Sequence, residues 1–419
     1  MTELNYIDGH IIGRNYKPGL HFDFRIAVPV CEAEEVALLV EHDGLNDANV
    51  NALLRLADEG AAPYCISVGV APGNLPMSDG SQRNMRMNSY DLFDREYGDF
   101  LVYELLPYIT ETYSLRISSS PDLHLISGGS SGGISAFVVA WFHPDYFRRV
   151  YMSSPSFLAM GRGNEIPYLI RKYETKPLRI YEEYSENEPN DYFGWSRAID
   201  EEARAALLFA NYDFRCEYFP GEGHCSRYRD ENEAYRRMKW LFGAASGSCN
   251  SPRVNQVIPT DSRWERCEAF PASRTHERTA LDDRFDMTAA SNDGLAWYCA
   301  NRHEDIVYMF PADATGADAR GLLHAALHTI PRYEPKGAID MAVDRSDRLF
   351  VLTAIGIQCV RSYGLIDVIL ALPDESAPLA VAVTDALYVK TEQGIYRRTL
   401  CDASLTENEE RRRFVSYYD

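Results

Sequence analysis

The chain has 419 residues, a length that predicts two domains rather than one. An apolar share of 46% and a charged share of 25% are those of a globular protein with a sizeable buried core. With 62 Asp and Glu against 42 Lys and Arg, the net charge of −20 argues against nucleic acid or an anionic membrane as a partner.

No basic segment followed by an apolar one opens the sequence, and no stretch reaches the roughly 18 apolar residues of a membrane span. A cytoplasmic protein is therefore expected. The nine cysteines are odd in number and form no CxxC pair, so neither a zinc knuckle nor a disulfide framework is predicted.

Through residue 240 or so, short apolar runs alternate with helical patterns. The runs 36–44, 62–70, 123–129, 148–153 and 178–184 read as buried strands. Between them, 50–60, 99–113, 132–147 and 198–212 carry helical periodicity. Strand, loop and helix in repetition predict an α/β domain with a mainly parallel sheet, whose site lies in loops at the carboxyl ends of the strands.

After Trp240 the texture changes. Residues 243–252, GAASGSCNSP, read as a linker, which predicts domains at 1–245 and 246–419. Beyond it the stretches 292–311, 346–364 and 384–400 resemble one another, each a pair of short strands around a polar turn. A period of about 40 residues predicts an all-β domain of propeller-like blades.

The strongest chemical signal is Gly128-Gly129-Ser130-Ser131-Gly132, a Gly-x-Ser-x-Gly between an apolar strand and an apolar helix. Small residues at both ends let a tight strand-to-helix turn close, lifting a serine out of the sheet edge as a nucleophile. The following N–H then faces a developing oxyanion. Gly129 to Gly133 fits the same pattern with Ser131 at its centre, so the pattern alone leaves the register open.

A serine needs an imidazole to take its proton. His224, in Gly221-Glu222-Gly223-His224 after the strand 214–220, stands where the chain order serine, acid, histidine requires it. His42, beside Asp43-Gly44, is a second histidine placed to reach the site, whereas His124 and His143 read as structural. The acid must lie in the loop after 178–184, where Glu186, Glu188 and Asp191 compete.

With these pieces in place, the first part resembles the esterase D/enterochelin esterase group of α/β-hydrolases. The resemblance rests on Glu41-His42-Asp43-Gly44, Arg83-Asn84 with Tyr90-Asp91, Ile126 to Gly133 and Gly221 to His224. It puts the nucleophile on Ser130. It also selects Glu188 as the acid, because Glu188-Pro189-Asn190 stands where the group has Asp-Leu-Asn, with Asp191 the alternative. It implies oxyanion donors at the N–H groups of Ser131 and Leu45, and substrate contacts from Arg83 and Arg86, with His42 close by. The implied activity is carboxylic ester hydrolysis through an acyl-enzyme on a small or carbohydrate-linked ester, without a cofactor. Acyl transfer to a sugar hydroxyl, or a binding protein that keeps the fold, are the alternatives.

The second part is similar to the SMP-30/gluconolactonase propellers. The similarity is carried by Leu349-Phe350-Val351, Gly356-Ile357-Gln358, Leu387-Tyr388-Val389 and Ile395-Tyr396-Arg397-Arg398. Ile339 stands where that group has a metal-binding Asp, so no metal is expected. The remaining length holds half of such a ring, which implies a homodimer through the C-terminal domain.

Overall fold

The computed structural model describes residues 2–33, 35–271, 284–314 and 321–401. They divide into two compact units, one of residues 1–171 with 175–249 and the other of 172–174 with 250–419.

The first unit is built on one ten-stranded sheet of mixed direction. Strands β1 (Leu4–Ile12) and β2 (His21–Pro29) form an antiparallel hairpin at one side. Then come β3 (Ala37–His42), β4 (Cys65–Val70), β5 (His124–Gly129), β6 (Arg149–Ser153), β7 (Arg179–Asn187) and β8 (Asp213–Gly223). Across the sheet the order is β8-β7-β6-β5-β3-β4-β2, and all neighbours from β8 to β4 are parallel. Strands β3, β4 and β5 are buried at every residue, as a parallel sheet covered on both faces demands.

Helices cover the two faces. Helix α1 (Asp47–Asp58) starts where the Asn46 side chain accepts the Ala48 N–H, and Asp47 adds negative charge to the first turn. Helix α2 (Ser131–Phe142) is apolar nearly all round, is buried along its length and ends just before Pro144. Helices α3 (Ser196–Phe209) and α4 (Glu231–Phe242) follow, the latter capped by Asp230 and packed against α1. Successive residues of β3 point to opposite faces, Glu41 bonding Asn49 of α1 and His42 the carbonyl of Gly132 in α2. The run 99–113, expected as one helix, lies in three consecutive helical pieces from Glu96 to Thr112, the middle one wound more widely.

The second unit holds three four-stranded antiparallel sheets among its described residues. One joins Glu265–Cys267 to Ile395–Arg398, Leu387–Thr391 and Pro378–Val383, so the first and last described strands of the unit share a sheet. The others run Met287–Ala290 to Leu322–Ala326 and Asp340–Val343 to Ile366–Leu370. No closed barrel or propeller ring is present among the described residues. The sheet from Asp340 to Leu370 lies between the other two, through contacts of Asp340–Val343 with Met287–Ala290 and with Pro378–Val383. Its last three strands are buried throughout, whereas the outer sheets have partly exposed strands.

Candidate active site

Register in the parallel sheet assembles the site. Gly129 of β5 lies opposite Ser153 of β6, so Ser130 and Ser154 leave the sheet side by side. Asn187 of β7 lies opposite Gly223 of β8, so Glu188 and His224 do the same.

Ser130 has φ 58° and ψ −127°, a conformation that costs an L-residue roughly 1–3 kcal/mol. The glycines let the turn close. A Cβ on Gly128 would lie 2.4 Å from the backbone of Gly132, and one on Gly132 would lie 3.0 Å from His42 Cβ. The elbow is pinned by main-chain bonds from Ser130 N–H to the Ser153 carbonyl (2.8 Å) and from Ser156 N–H to the Ser130 carbonyl (3.2 Å). Ser131 is instead the first residue of α2 and is buried, its hydroxyl turned towards Asp91. Burial pushes the Asp91 carboxyl up to about 6, against the opposing effects of Ser131 and Arg86.

Of the three acids in the loop after β7, Glu188 meets the imidazole. Its Oε2 is 2.5 Å from His224 Nδ1, while its Oε1 accepts from Ser154 Oγ (2.6 Å) and from the Ser185 N–H (3.0 Å). Burial works to raise the Glu188 carboxyl, but the bonds from His224, Ser154 and Ser185 outweigh it and hold it below its ordinary value. Glu186 accepts the Gly221 N–H and so braces the strand that carries His224. Asp191 is exposed and caps Phe193 N–H in the hairpin Asn190–Trp195. Two further carboxyl groups near by, Glu182 and Asp200, are fully buried and pushed upwards by that burial, so Glu188 is the charged one against the ring.

The Cys225 sulfur beside the ring and the Glu188 carboxylate behind it push the His224 imidazole up to about 10. An imidazolium cannot take a proton, and Ser130 Oγ bonds Ser156 Oγ at 2.9 Å. If His224 is the base, activity depends on its neutral form. The ascending limb of kcat/KM against pH should therefore lie well above the ~6.5 of free imidazole. Cys225→Ala should move that limb towards acid, and a wild-type limb at or below the free value would count against His224 as the base.

The remaining residues singled out from the sequence fall into three groups. Leu45 follows the turn Asp43-Gly44, which lies directly on Gly69, where a Cβ would come within 2.1 Å of Leu45 N. The N–H groups of Leu45 and Ser131 have no protein acceptor among the described residues. Arg83 is exposed, whereas Arg86 makes a two-pronged ion pair with Asp43 (2.8 and 2.7 Å) over the Tyr90 ring. His42, expected near the substrate, is 1% exposed; it bonds the Gly132 carbonyl (2.8 Å) and stacks on Tyr90, and burial pushes it down to about 4. It supports the elbow from beneath as a neutral ring. Among the described residues no three His, Cys, Asp or Glu side chains could together hold a metal ion.

Sequence reasoning passed over the loop Ser153-Ser154-Pro155-Ser156, whose signal was only a serine cluster after a buried strand. It also passed over a polar network below the sheet. There Glu41 accepts Asn46 N–H (2.6 Å), and the Tyr228 carbonyl receives both Asn46 Nδ2 (2.8 Å) and Arg237 Nη2 (2.6 Å). The network ties the Leu45 turn to the segment after His224.

Residues 26–203 match the family model described as "Putative esterase". No curated protein matches the sequence. Among solved structures, the chain is similar to a ferulic acid esterase at 15% identity and a TM-score of 0.44, over 58% of this chain and 98% of that one. It is similar to the enterobactin esterase FES from Shigella flexneri at 16% identity and a TM-score of 0.42, covering 57% of this chain but only 60% of the Shigella enzyme. The BES protein from Bacillus cereus matches at 15% identity and a TM-score of 0.40, over 57% of this chain and 95% of its own.

Proposed function

We propose that the first unit hydrolyses carboxylic esters through an acyl-enzyme on Ser130. The observation that carries this reading is the 2.5 Å Glu188–His224 pair, set beside a serine in the strained elbow conformation. Neutral His224 takes the Ser130 proton as Oγ attacks the ester carbon. The oxyanion so formed lies between the N–H groups of Ser131 and Leu45, each worth about 3 kcal/mol when aimed at developing charge. Collapse expels the alcohol, which leaves with the proton from His224. Water, deprotonated by the same ring, then attacks the acyl-enzyme and releases the acid. Glu188 holds the ring by Nδ1 and stabilises its cation.

The substrate class is a small or carbohydrate-linked ester with a ring to stack. Tyr192, Phe193 and Trp195, exposed on the hairpin just after Glu188, offer flat apolar surface, and Arg83 offers a free charge. Screening aryl and sugar esters for acid release tests this directly. Turnover of aryl-bearing esters but not of short aliphatic ones is expected, and indifference to the ring would remove the aromatic hairpin from the reading.

For the second unit, three stacked four-stranded sheets with a doubly covered middle one support half a propeller as the underlying plan. Such an arc leaves an open flank at each end. A second copy of the chain, joined about a two-fold axis, would cover both. Light scattering of the full chain should give twice 47.5 kDa. A monomer at micromolar concentration would remove the dimer.

A further inference from the structure

We propose that Ser154 is a positioning residue for the ester hydrolysis assigned above, fixing Glu188 and the His224 loop in one geometry. The inference rests on that assignment. Three observations carry it. The Ser154 hydroxyl is buried and bonded both as donor and as acceptor, giving its one proton to Glu188 Oε1 (2.6 Å) and accepting the Cys225 N–H (2.9 Å). It thus holds the far oxygen of the acid, leaving Oε2 for Nδ1, and fixes the main chain of the residue next to His224. The Ser154 N–H in turn bonds the Glu183 carbonyl at 2.6 Å, tying the serine to the strand that carries Glu188.

The backbone makes the same point. Ser154 has φ 45°, a left-handed conformation in which glycine would be the unstrained choice. A turn required only for chain reversal would be better served by glycine, so the serine is accounted for by its hydroxyl. Its neighbours complete the link to the nucleophile, since the Ser153 carbonyl accepts Ser130 N–H and Ser156 Oγ bonds Ser130 Oγ. One short loop therefore touches the nucleophile, the acid and the segment bearing the base.

Loss of the hydroxyl frees Glu188 to turn away from the ring. The imidazolium then loses part of its support, and the ring loses its fixed tautomer. The test uses the full chain with Ser154→Gly, which suits the backbone angle, together with Ser154→Ala and Ser130→Ala, assayed on a p-nitrophenyl ester. For both Ser154 variants kcat should fall about 10²-fold with KM unchanged, the scale of a small misplacement of catalytic groups. The ascending limb of the pH profile should move towards that of free imidazole, while circular dichroism stays native. A kcat close to wild type, or a fall in kcat with the limb unmoved, overturns the positioning role. Turnover persisting in Ser130→Ala would instead overturn the site assignment itself, whatever the Ser154 variants do.

Discussion

Ser130→Ala should lower kcat by about 10⁴-fold or more while leaving the fold intact, because what survives loss of a nucleophile is only binding and the oxyanion donors. Alanine retains the N–H that bonds the Ser153 carbonyl and the carbonyl that receives Ser156 N–H. Thermal unfolding should therefore change little. Ser131→Ala is the matched control. It keeps the N–H proposed as an oxyanion donor and removes only a buried hydroxyl at the start of α2. Its kcat should stay within about tenfold of wild type, since one neutral hydrogen bond is worth about 1 kcal/mol. Steady-state kinetics on an aryl ester separate the two, and a reversed order would move the nucleophile to Ser131.

The second large effect is expected at the acid. Glu188→Gln should reduce kcat by about 10³- to 10⁴-fold, the scale seen when a triad carboxylate is replaced by its amide. The amide is isosteric, but it carries no charge to stabilise the imidazolium and can present N–H to His224 Nδ1, selecting the wrong tautomer. Asp191→Asn should be mild, because that carboxylate only caps Phe193 N–H at the surface. Glu186→Gln should lie between, since it loosens the Gly221 main chain rather than the ring. A large loss at Asp191 with none at Glu188 would reassign the acid.

These contrasts reflect how far a sequence can be read. The strands and helices from β3 to β8 were legible because their apolar period is local, and the elbow because two glycines and a serine at fixed spacing have few other uses. The β1–β2 hairpin was not read, although the alternation in His21–Pro29, with Phe22, Phe24 and Ile26 on the buried face, is itself a strand signal. The acid was open among Glu186, Glu188 and Asp191 on the residues alone. The choice depends on strand register, which sets Asn187 beside Gly223, and no periodicity encodes that pairing. His42 was read as close to the substrate from its place after a strand, and packing turns it under the elbow. Arg86, which the resemblance implied as a substrate contact, pairs with Asp43. Ser154 and Cys225 matter through space alone, and a loop serine or an isolated cysteine carries no pattern.

The most direct test is to incubate the full chain with a fluorophosphonate and map the adduct by peptide mass spectrometry. A single adduct on Ser130 is expected, absent from Ser130→Ala and formed much more slowly in Glu188→Gln. An unmodified Ser130 in a folded protein, or an adduct on Ser131 in its place, would contradict the assignment of the nucleophile.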